Sequence, residues 1–442
     1  MNNVIRECLN RRVKLELQQL GFFGTDLSDI DGSSFASLFI SPKLNILGMY
    51  NCSLSSVILN DMIEECSSRG VKLELKLLAI SDNNLSNIDG SSFASLFITS
   101  KLCKLGMNNC SLSGVTMNDM IRECSSRGVE LELVELYVSG NNLSNLDGSS
   151  FASLFITSKL SKLVMNNCNL SCVVMNDVIR VCSSRGVKLE LVELYVSGNN
   201  LSNIDGSSFA SLFITSKLSK LVMNNCNLSC VVMNDMIREC SSRGVELELE
   251  ELYVIGNNLS NIDGASFASL FITSKLNMLG MNNCSLSGVI MNDMIRECSS
   301  RGVELELVEL YVSDNNLSNI DGASFASLFI TSKLSKLFMY DCNLSCVVMN
   351  DMIRECSSRG VKLELELLAI NDNNLSNIDG SSFASLFITS KLSELFMYNC
   401  NLSCVVMNDM IRECSSRGIK LELELPAIND NNLSHIDGAS FA

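Results

Sequence analysis

Apolar residues recur along this chain in short blocks of fixed layout. One kind of block follows the motif LxxLxLxxNxL, and in one copy its motif residues are Leu191, Leu194, Val196, Asn199 and Leu201. Apolar residues at these spacings point to one side of a short extended segment, toward a shared core. The block therefore predicts a short parallel strand followed by a turn into the next element.

A second kind of block alternates with the first and carries cysteine where the first carries asparagine. Its motif residues in one copy are Leu218, Leu221, Met223, Cys226 and Leu228. An inward-pointing asparagine can bond backbone groups that a turn leaves unpaired, and cysteine is among the most buried residue types. We therefore expect asparagine and cysteine to fill equivalent buried positions in alternate turns.

Between the blocks the apolar spacing becomes helical. The longer connection has one apolar stripe, formed by Val232, Met236, Ile237 and Cys240. Ser229 precedes this stripe as an N-cap, and Gly244 follows it as a stop signal. The shorter connection predicts a brief helix after Asp205, whose inward face is formed by Phe209, Leu212 and Phe213. Strands and helices are therefore expected to alternate.

Blocks and connections repeat together every 58 residues, as units of 27 and 31 residues. Fifteen blocks occur between Leu17 and Leu433. This regularity predicts one domain over 1–442, an α/β solenoid with a parallel β-sheet on its concave face and α-helices on its convex face. Because the chain starts inside a helix and stops at Phe441–Ala442, we expect the array to be truncated at both ends.

The alternating unit lengths, the Asn and Cys turns and the helix in each unit resemble leucine-rich repeats of the ribonuclease-inhibitor type. Such repeats also form the C-terminal sensor region of NACHT-type nucleotide-binding leucine-rich-repeat receptors of innate immunity. The resemblance implies a horseshoe that binds proteins through its concave face. No Walker A motif occurs in this chain. Its units are near-identical copies, so the resemblance assigns no contact residues.

Charge narrows the classes of partner. The formal net charge is −16, since 49 Asp and Glu residues outnumber 33 Lys and Arg residues. Phosphate binding needs basic surface, so we expect no nucleic-acid partner, whereas a basic protein partner is compatible with this charge. No run of eighteen apolar residues occurs, and we predict no membrane span. The oligomeric state stays open.

The 20 cysteines recur at repeat positions, namely the turn (Cys226), the helix start (Cys230) and the helix interior (Cys240). Residues with a core role in every copy are expected to be buried thiols, which favours a reducing compartment and hence a cytoplasmic protein. Cys168 and Cys172 have a spacing that metal ligands also show, but no histidine is near. We therefore predict no metal site and no cofactor.

The copies differ from one another chiefly at strand positions that face away from the helices. Counting from the first leucine of each block, six aromatic residues occupy position 5, namely Tyr137, Tyr195, Tyr253, Tyr311, Phe338 and Phe396. Tyr340 and Tyr398 occupy position 7, and position 8 becomes acidic late in the chain, at Asp314, Asp341 and Asp372. We predict that these eleven residues bind a protein partner through the concave face.

An alternative explanation of the aromatic row is packing between neighbouring strands without any ligand. On a sheet, the tyrosines from Tyr137 to Tyr311 would stand about 10 Å apart, two strand spacings along one row. Position 3 alternates in charge, and its members Lys104, Glu135, Lys162, Glu193, Lys220 and Glu251 are expected to pair with each other.

Three functions fit these observations. The first is a non-catalytic array that recognises a protein ligand, as the sensor part of an intracellular receptor. The second is a direct protein inhibitor of a basic enzyme, and the third is a GTPase-activating leucine-rich-repeat protein, which would need a distinctive Arg or Asn. The arginines, such as Arg238 and Arg243, recur in nearly every copy. The sequence has no nucleophile with an adjacent base and no phosphate-binding loop, so we predict that it is not an enzyme.

Overall fold

The computed structural model describes residues 17–36, 43–70, 75–99, 101–129, 131–157, 159–187, 189–215, 217–244, 247–273, 275–303, 305–331, 333–361, 363, 365–389, 391–418 and 425–434. The chain divides into two units, residues 1–218 and 219–442. Both ends of the chain, where we expected truncation, lie outside the described residues. These ends include Phe441–Ala442 and the single histidine, His435.

In the first unit, short strands alternate with helices. The strands are β1 (Gln19–Phe23), β2 (Ile46–Tyr50), β3 (Leu77–Ala79), β4 (Lys104–Gly106), β5 (Glu135–Tyr137), β6 (Lys162–Val164) and β7 (Glu193–Tyr195). The helices are α1 (Gly32–Ala36), α2 (Ser56–Ser68), α3 (Gly90–Thr99), α4 (Gly114–Ser126), α5 (Gly148–Thr157), α6 (Cys172–Ser184), α7 (Gly206–Phe209) and α8 (Ser211–Thr215).

The second unit continues the same alternation. Its strands are β8 (Lys220–Val222), β9 (Glu251–Tyr253), β10 (Met278–Gly280), β11 (Glu309–Tyr311), β12 (Lys336–Phe338), β13 (Leu367–Ala369), β14 (Glu394–Phe396) and β15 (Leu425–Ala427). Its helices are α9 (Cys230–Ser242), α10 (Gly264–Thr273), α11 (Gly288–Ser300), α12 (Gly322–Thr331), α13 (Cys346–Ser358), α14 (Gly380–Thr389) and α15 (Cys404–Ser416).

Within each unit every strand pairs in parallel with the next strand along the chain. The register places equivalent residues side by side, so that Leu163 lies beside Leu194 and Leu337 beside Leu368. These leucines are at most 2% exposed, because they point from the sheet toward the helices. The predicted α/β solenoid of parallel strands and helices is confirmed.

Buried asparagines hold the turns together. In the second unit Asn257, which is 3% exposed, donates from Nδ2 to the carbonyl oxygens of Met223 at 2.8 Å and Val254 at 2.6 Å. Its Oδ1 accepts from the backbone N–H groups of Cys226 at 3.0 Å and Leu228 at 2.9 Å. One asparagine therefore pairs backbone groups of its own turn and of the preceding cysteine turn, which explains why cysteine suffices there.

The helices begin and end where the sequence predicts. Ser229 is the N-cap of α9 and accepts from the backbone N–H of Val232, and Gly244 follows the helix with φ +62°. In the shorter connection, Phe209 and Phe213 are 1% and 6% exposed, as expected for the inward face. In this copy the brief helix is divided into α7 and α8 at Ala210.

The cysteines fall into buried and half-buried groups. Cys168 in a turn and Cys240 in a helix are buried, and burial raises the pKa of each thiol to about 11. The prediction that all repeat cysteines are buried is wrong for the helix-start position, because Cys230 and its equivalents Cys172, Cys346 and Cys404 are half-buried. A side chain at a helix start lies at the margin of the core, where solvent reaches it.

Candidate functional site

The outer face of the sheet carries the residues that the sequence singled out. We call this surface the sheet face; it consists of the side chains at strand positions 3, 5 and 7 that point away from the helices. All eight predicted aromatic residues on it are half-buried, with part of each ring open to solvent: Tyr137, Tyr195, Tyr253, Tyr311, Phe338, Tyr340, Phe396 and Tyr398.

In the first unit, one lysine lies over two tyrosine rings. Lys162 lies with Nζ 5.9 Å from the ring centroid of Tyr137 and 5.3 Å from that of Tyr195. The same amine forms an ion pair with Glu193 at 2.7 Å, and Lys104 forms one with Glu135 at 2.6 Å. The predicted charge ladder is confirmed, and these tyrosines take part in it, because an amine over a ring is attracted by the ring's negative face.

The second unit brings three rings together. Tyr253 and Tyr311 have ring centroids 6.4 Å apart, and Tyr311 and Phe338 are stacked with centroids 4.5 Å apart and planes inclined by 8°. We call these three residues the aromatic cluster. The predicted spacing of about 10 Å between successive tyrosines is therefore wrong for this pair. The rings lean together over Gly280, where an added Cβ would lie 2.5 Å from the Tyr253 ring.

Two further strands extend this surface. Strand β13 carries Leu367 and Ala369 on the sheet face, and Asn371 follows the strand; the three residues are only 9%, 4% and 3% exposed. Phe396 lies on β14 and Tyr398 lies just after it, and both are half-buried. The second unit thus adds contacts between rings to the kind of lysine–ring contact seen in the first unit, since Lys220 lies with Nζ 5.7 Å from the Tyr253 ring centroid.

The three predicted aspartates have a backbone reason to occupy position 8. Asp314, Asp341 and Asp372 have φ values of 58°, 49° and 58°, in the left-handed region that aspartate, asparagine and glycine tolerate best. The interpretation that acids appear at this position only late in the chain is wrong, because Asp82 holds it in the first unit with φ 59°. The sequence held a signal for this backbone conformation, since Gly140 fills the same position of the next asparagine-type block.

The acids also bond to neighbouring turns. Asp372 accepts from Nδ2 of Asn399 at 2.8 Å, as Asp82 does from Asn109 at 2.9 Å. Asp314 and Asp341 are exposed. Burial and the nearby carboxylate of Asp341 raise the pKa of Asp314. A neighbouring turn therefore supplies a hydrogen-bond donor to Asp372, whereas Asp314 and Asp341 leave exposed negative charge beside the aromatic cluster.

The tyrosines beside the charge ladder should ionise only at high pH. Burial, followed by the hydrogen bond from its hydroxyl to Glu135 at 2.8 Å, raises the pKa of Tyr137 to about 12. Because the folded pKa lies above the unfolded value near 10, this stabilisation is complete below about pH 10 and is lost as the pH rises through about 12.

We expect the Tyr137 ring, followed by NMR of its Cζ carbon, to titrate near pH 12. In Glu135→Gln the pKa should fall but stay above 10, because burial remains. Tyr137→Phe assigns the signal. A Tyr137 that titrates at the ordinary value would contradict the described contact.

Other chemistry is sparse in the described ranges. They contain no cluster of three or more His, Cys, Asp or Glu side chains arranged to hold a metal ion. Among the same residues, no helix is both long enough and apolar enough to cross a membrane. Most arginines lie on or just after the helices in ion pairs, as Arg243 does with Glu239 at 2.6 Å and Arg238 with Asp235 at 3.3 Å.

Comparison with known proteins identifies the repeat. The sequence pattern of the Leucine Rich Repeat family matches residues 132–154 and 190–212. No curated protein matches the chain. An internalin from Listeria monocytogenes is similar in structure, with 17% sequence identity, a TM-score of 0.55 and coverage of 89% of this chain and 93% of the internalin.

The ectodomain of the Arabidopsis receptor kinase HAESA, solved with a peptide hormone ligand, matches with 18% identity and a TM-score of 0.41 over 92% of this chain and 70% of that one. Identities this low show the fold alone. The matched segments contain β5 and β7 with the turns that follow them. The chain is a leucine-rich-repeat solenoid.

Proposed function

We propose that this protein is a non-catalytic recognition protein that binds another protein through its sheet face. The aromatic cluster of the second unit carries the proposal. Three rings in a row, each in contact with the next and partly open to solvent, supply a large rigid apolar surface, and such surfaces dominate the binding energy of protein interfaces. Packing between strands accounts for the contacts among the rings, but it does not require that they stay open to solvent.

The resemblance of the units to ribonuclease-inhibitor-type repeats supports a role as the sensor part of an intracellular receptor, and the free thiols of the described cysteines suit a cytoplasmic location. The exposed Asp314 and Asp341 beside the cluster favour a basic partner. The same acids favour, as a second candidate, direct inhibition of a basic enzyme. No observation favours GTPase activation, since most arginines are engaged on or just after the helices.

The test is capture of a partner from extracts of cells that express the protein, followed by calorimetry with the purified partner. We expect Tyr311→Ala and Phe338→Ala each to weaken binding at least about tenfold, because buried aromatic anchors contribute about 2 kcal/mol or more. The matched controls are Val231→Ala and Val347→Ala on the helices, whose side chains are 61% and 62% exposed.

These controls should bind as the wild type does. Affinity that is unchanged in both aromatic variants, or that is lost in the helix variants instead, would refute the sheet face as the binding surface. If the captured partner is an enzyme whose activity falls in proportion to binding, the inhibitor function replaces the sensor function.

A further inference from the structure

One carboxylate on the sheet face lacks the lysine that its equivalents have. Four strands carry a glutamate at position 3 and a tyrosine at position 5, beginning with Glu135 and Tyr137 of β5 and ending with Glu309 and Tyr311 of β11. In every one of these four strands the glutamate forms an ion pair with a lysine of a neighbouring strand, at 2.6 to 2.8 Å.

Strand β14 repeats the arrangement with Glu394 and Phe396 but without the lysine. The register places Glu394 beside Leu367 of β13 and Leu425 of β15, and Phe396 beside Ala369 and Ala427. The equivalent position of β12, two strands before β14, carries Lys336. This lysine is already paired with Glu309 of β11 at 2.8 Å. Within the described part of the chain, Glu394 forms no ion pair.

The chain itself shows what fits such a carboxylate and ring. Lys162 places its amine 2.7 Å from the Glu193 carboxylate and 5.3 Å from the Tyr195 ring centroid. Lys220 does the same, 2.6 Å from Glu251 and 5.7 Å from the Tyr253 ring. A cation in this place gains both a charge-assisted hydrogen bond and attraction to the ring.

We propose that Glu394 and Phe396 form a subsite for a lysine or arginine side chain of an extended protein segment bound on the sheet face. The partner's cation takes the place that Lys162 takes for Glu193 and Tyr195. Both residues are half-buried and therefore accessible in part, and Asp341 and Asp372 on the same side of the unit add favourable charge. The inference rests on the proposed function and specifies the chemistry of the ligand.

The experiment uses the full chain and a phage-displayed library of random linear dodecapeptides. Peptides selected on the wild type should be enriched in lysine and arginine. For a selected basic peptide, Glu394→Gln should weaken binding about threefold, the effect of losing one half-exposed ion pair while the contact with the Phe396 ring remains. Binding should also weaken as salt is raised.

Leu367→Lys gives the sharper variant, because it places a lysine beside Glu394 in the register that the ladder uses. This internal cation should fill the subsite, and affinity for the basic peptide should fall at least as far as in Glu394→Gln. Glu239→Gln is the control, since this carboxylate is paired with Arg243 on the helix side, away from the sheet face, and it should leave binding unchanged.

The outcomes separate the two proposals. Peptides whose binding depends on Tyr311 and Phe338 but not on Glu394 or Leu367→Lys overturn the subsite and leave the proposed function standing. Binding that depends on none of these residues refutes both. A wild type that selects no basic peptides also overturns the subsite.

Discussion

Asn257→Ala should lower the free energy of unfolding by about 3–5 kcal/mol. The side chain amide makes four hydrogen bonds to backbone groups that no water reaches, at 2.6 to 3.0 Å, to Met223, Val254, Cys226 and Leu228. Alanine leaves two N–H groups and the Met223 carbonyl group without partners, whereas the Val254 carbonyl still accepts from the Cys284 thiol at 3.2 Å. Each unsatisfied buried group costs about 1–3 kcal/mol. Partial rearrangement and entry of water keep the total below the full sum.

The control is the next residue. Asn258 is exposed, and its side chain accepts one hydrogen bond, from the backbone N–H of Ser260 at 3.2 Å. Asn258→Ala should change stability by less than about 0.5 kcal/mol. Urea unfolding followed by circular dichroism measures both variants, and amide exchange shows whether the loss centres on the turns of β8 and β9. Equal stability of the two variants would refute the role assigned to the buried amide.

The strands, helices and turn chemistry were predictable because each rests on a local rule repeated many times. The inward leucines, Ser229 as N-cap and Gly244 as helix stop are fixed by spacing within a few residues, and every copy repeats the signal. The asparagine in one turn and the cysteine in the next were also predictable. That one asparagine serves both turns was not, because it depends on contacts between residues 29 and 31 apart.

The sheet face was predictable in its location and not in its geometry. Ring positions depend on what the neighbouring strand leaves open, and Gly280 lets Tyr253 approach Tyr311 across an intervening strand. The aspartates at position 8 were predicted to bind a partner because of their charge, although the left-handed backbone there is a sufficient reason for aspartate to occur. Glu394 was missed, although the sequence held a signal for it, since four of the six other cysteine-type blocks carry lysine at its position.

Phe325→Ala should lower the free energy of unfolding by about 3–5 kcal/mol, the range for removing a buried phenylalanine side chain. Phe325 lies on α12 with 1% of its surface exposed, and its ring meets that of Phe329 edge-on, with centroids 5.5 Å apart and planes inclined by 73°. The substitution removes this contact and leaves a cavity between strand and helix layers. The repeat places similar rings on both sides, which limits how far the core can collapse to fill it.

Val347→Ala is the control, because Val347 is 62% exposed at the start of α13 and should cost less than about 0.5 kcal/mol. Urea midpoints of the two variants decide the comparison, provided that the slope with urea is unchanged. Since Phe325 faces away from the sheet face, a stable fraction of the variant at low temperature should still bind the partner. A Phe325→Ala protein that unfolds at the wild-type midpoint would mean that the brief helix does not contribute to the core.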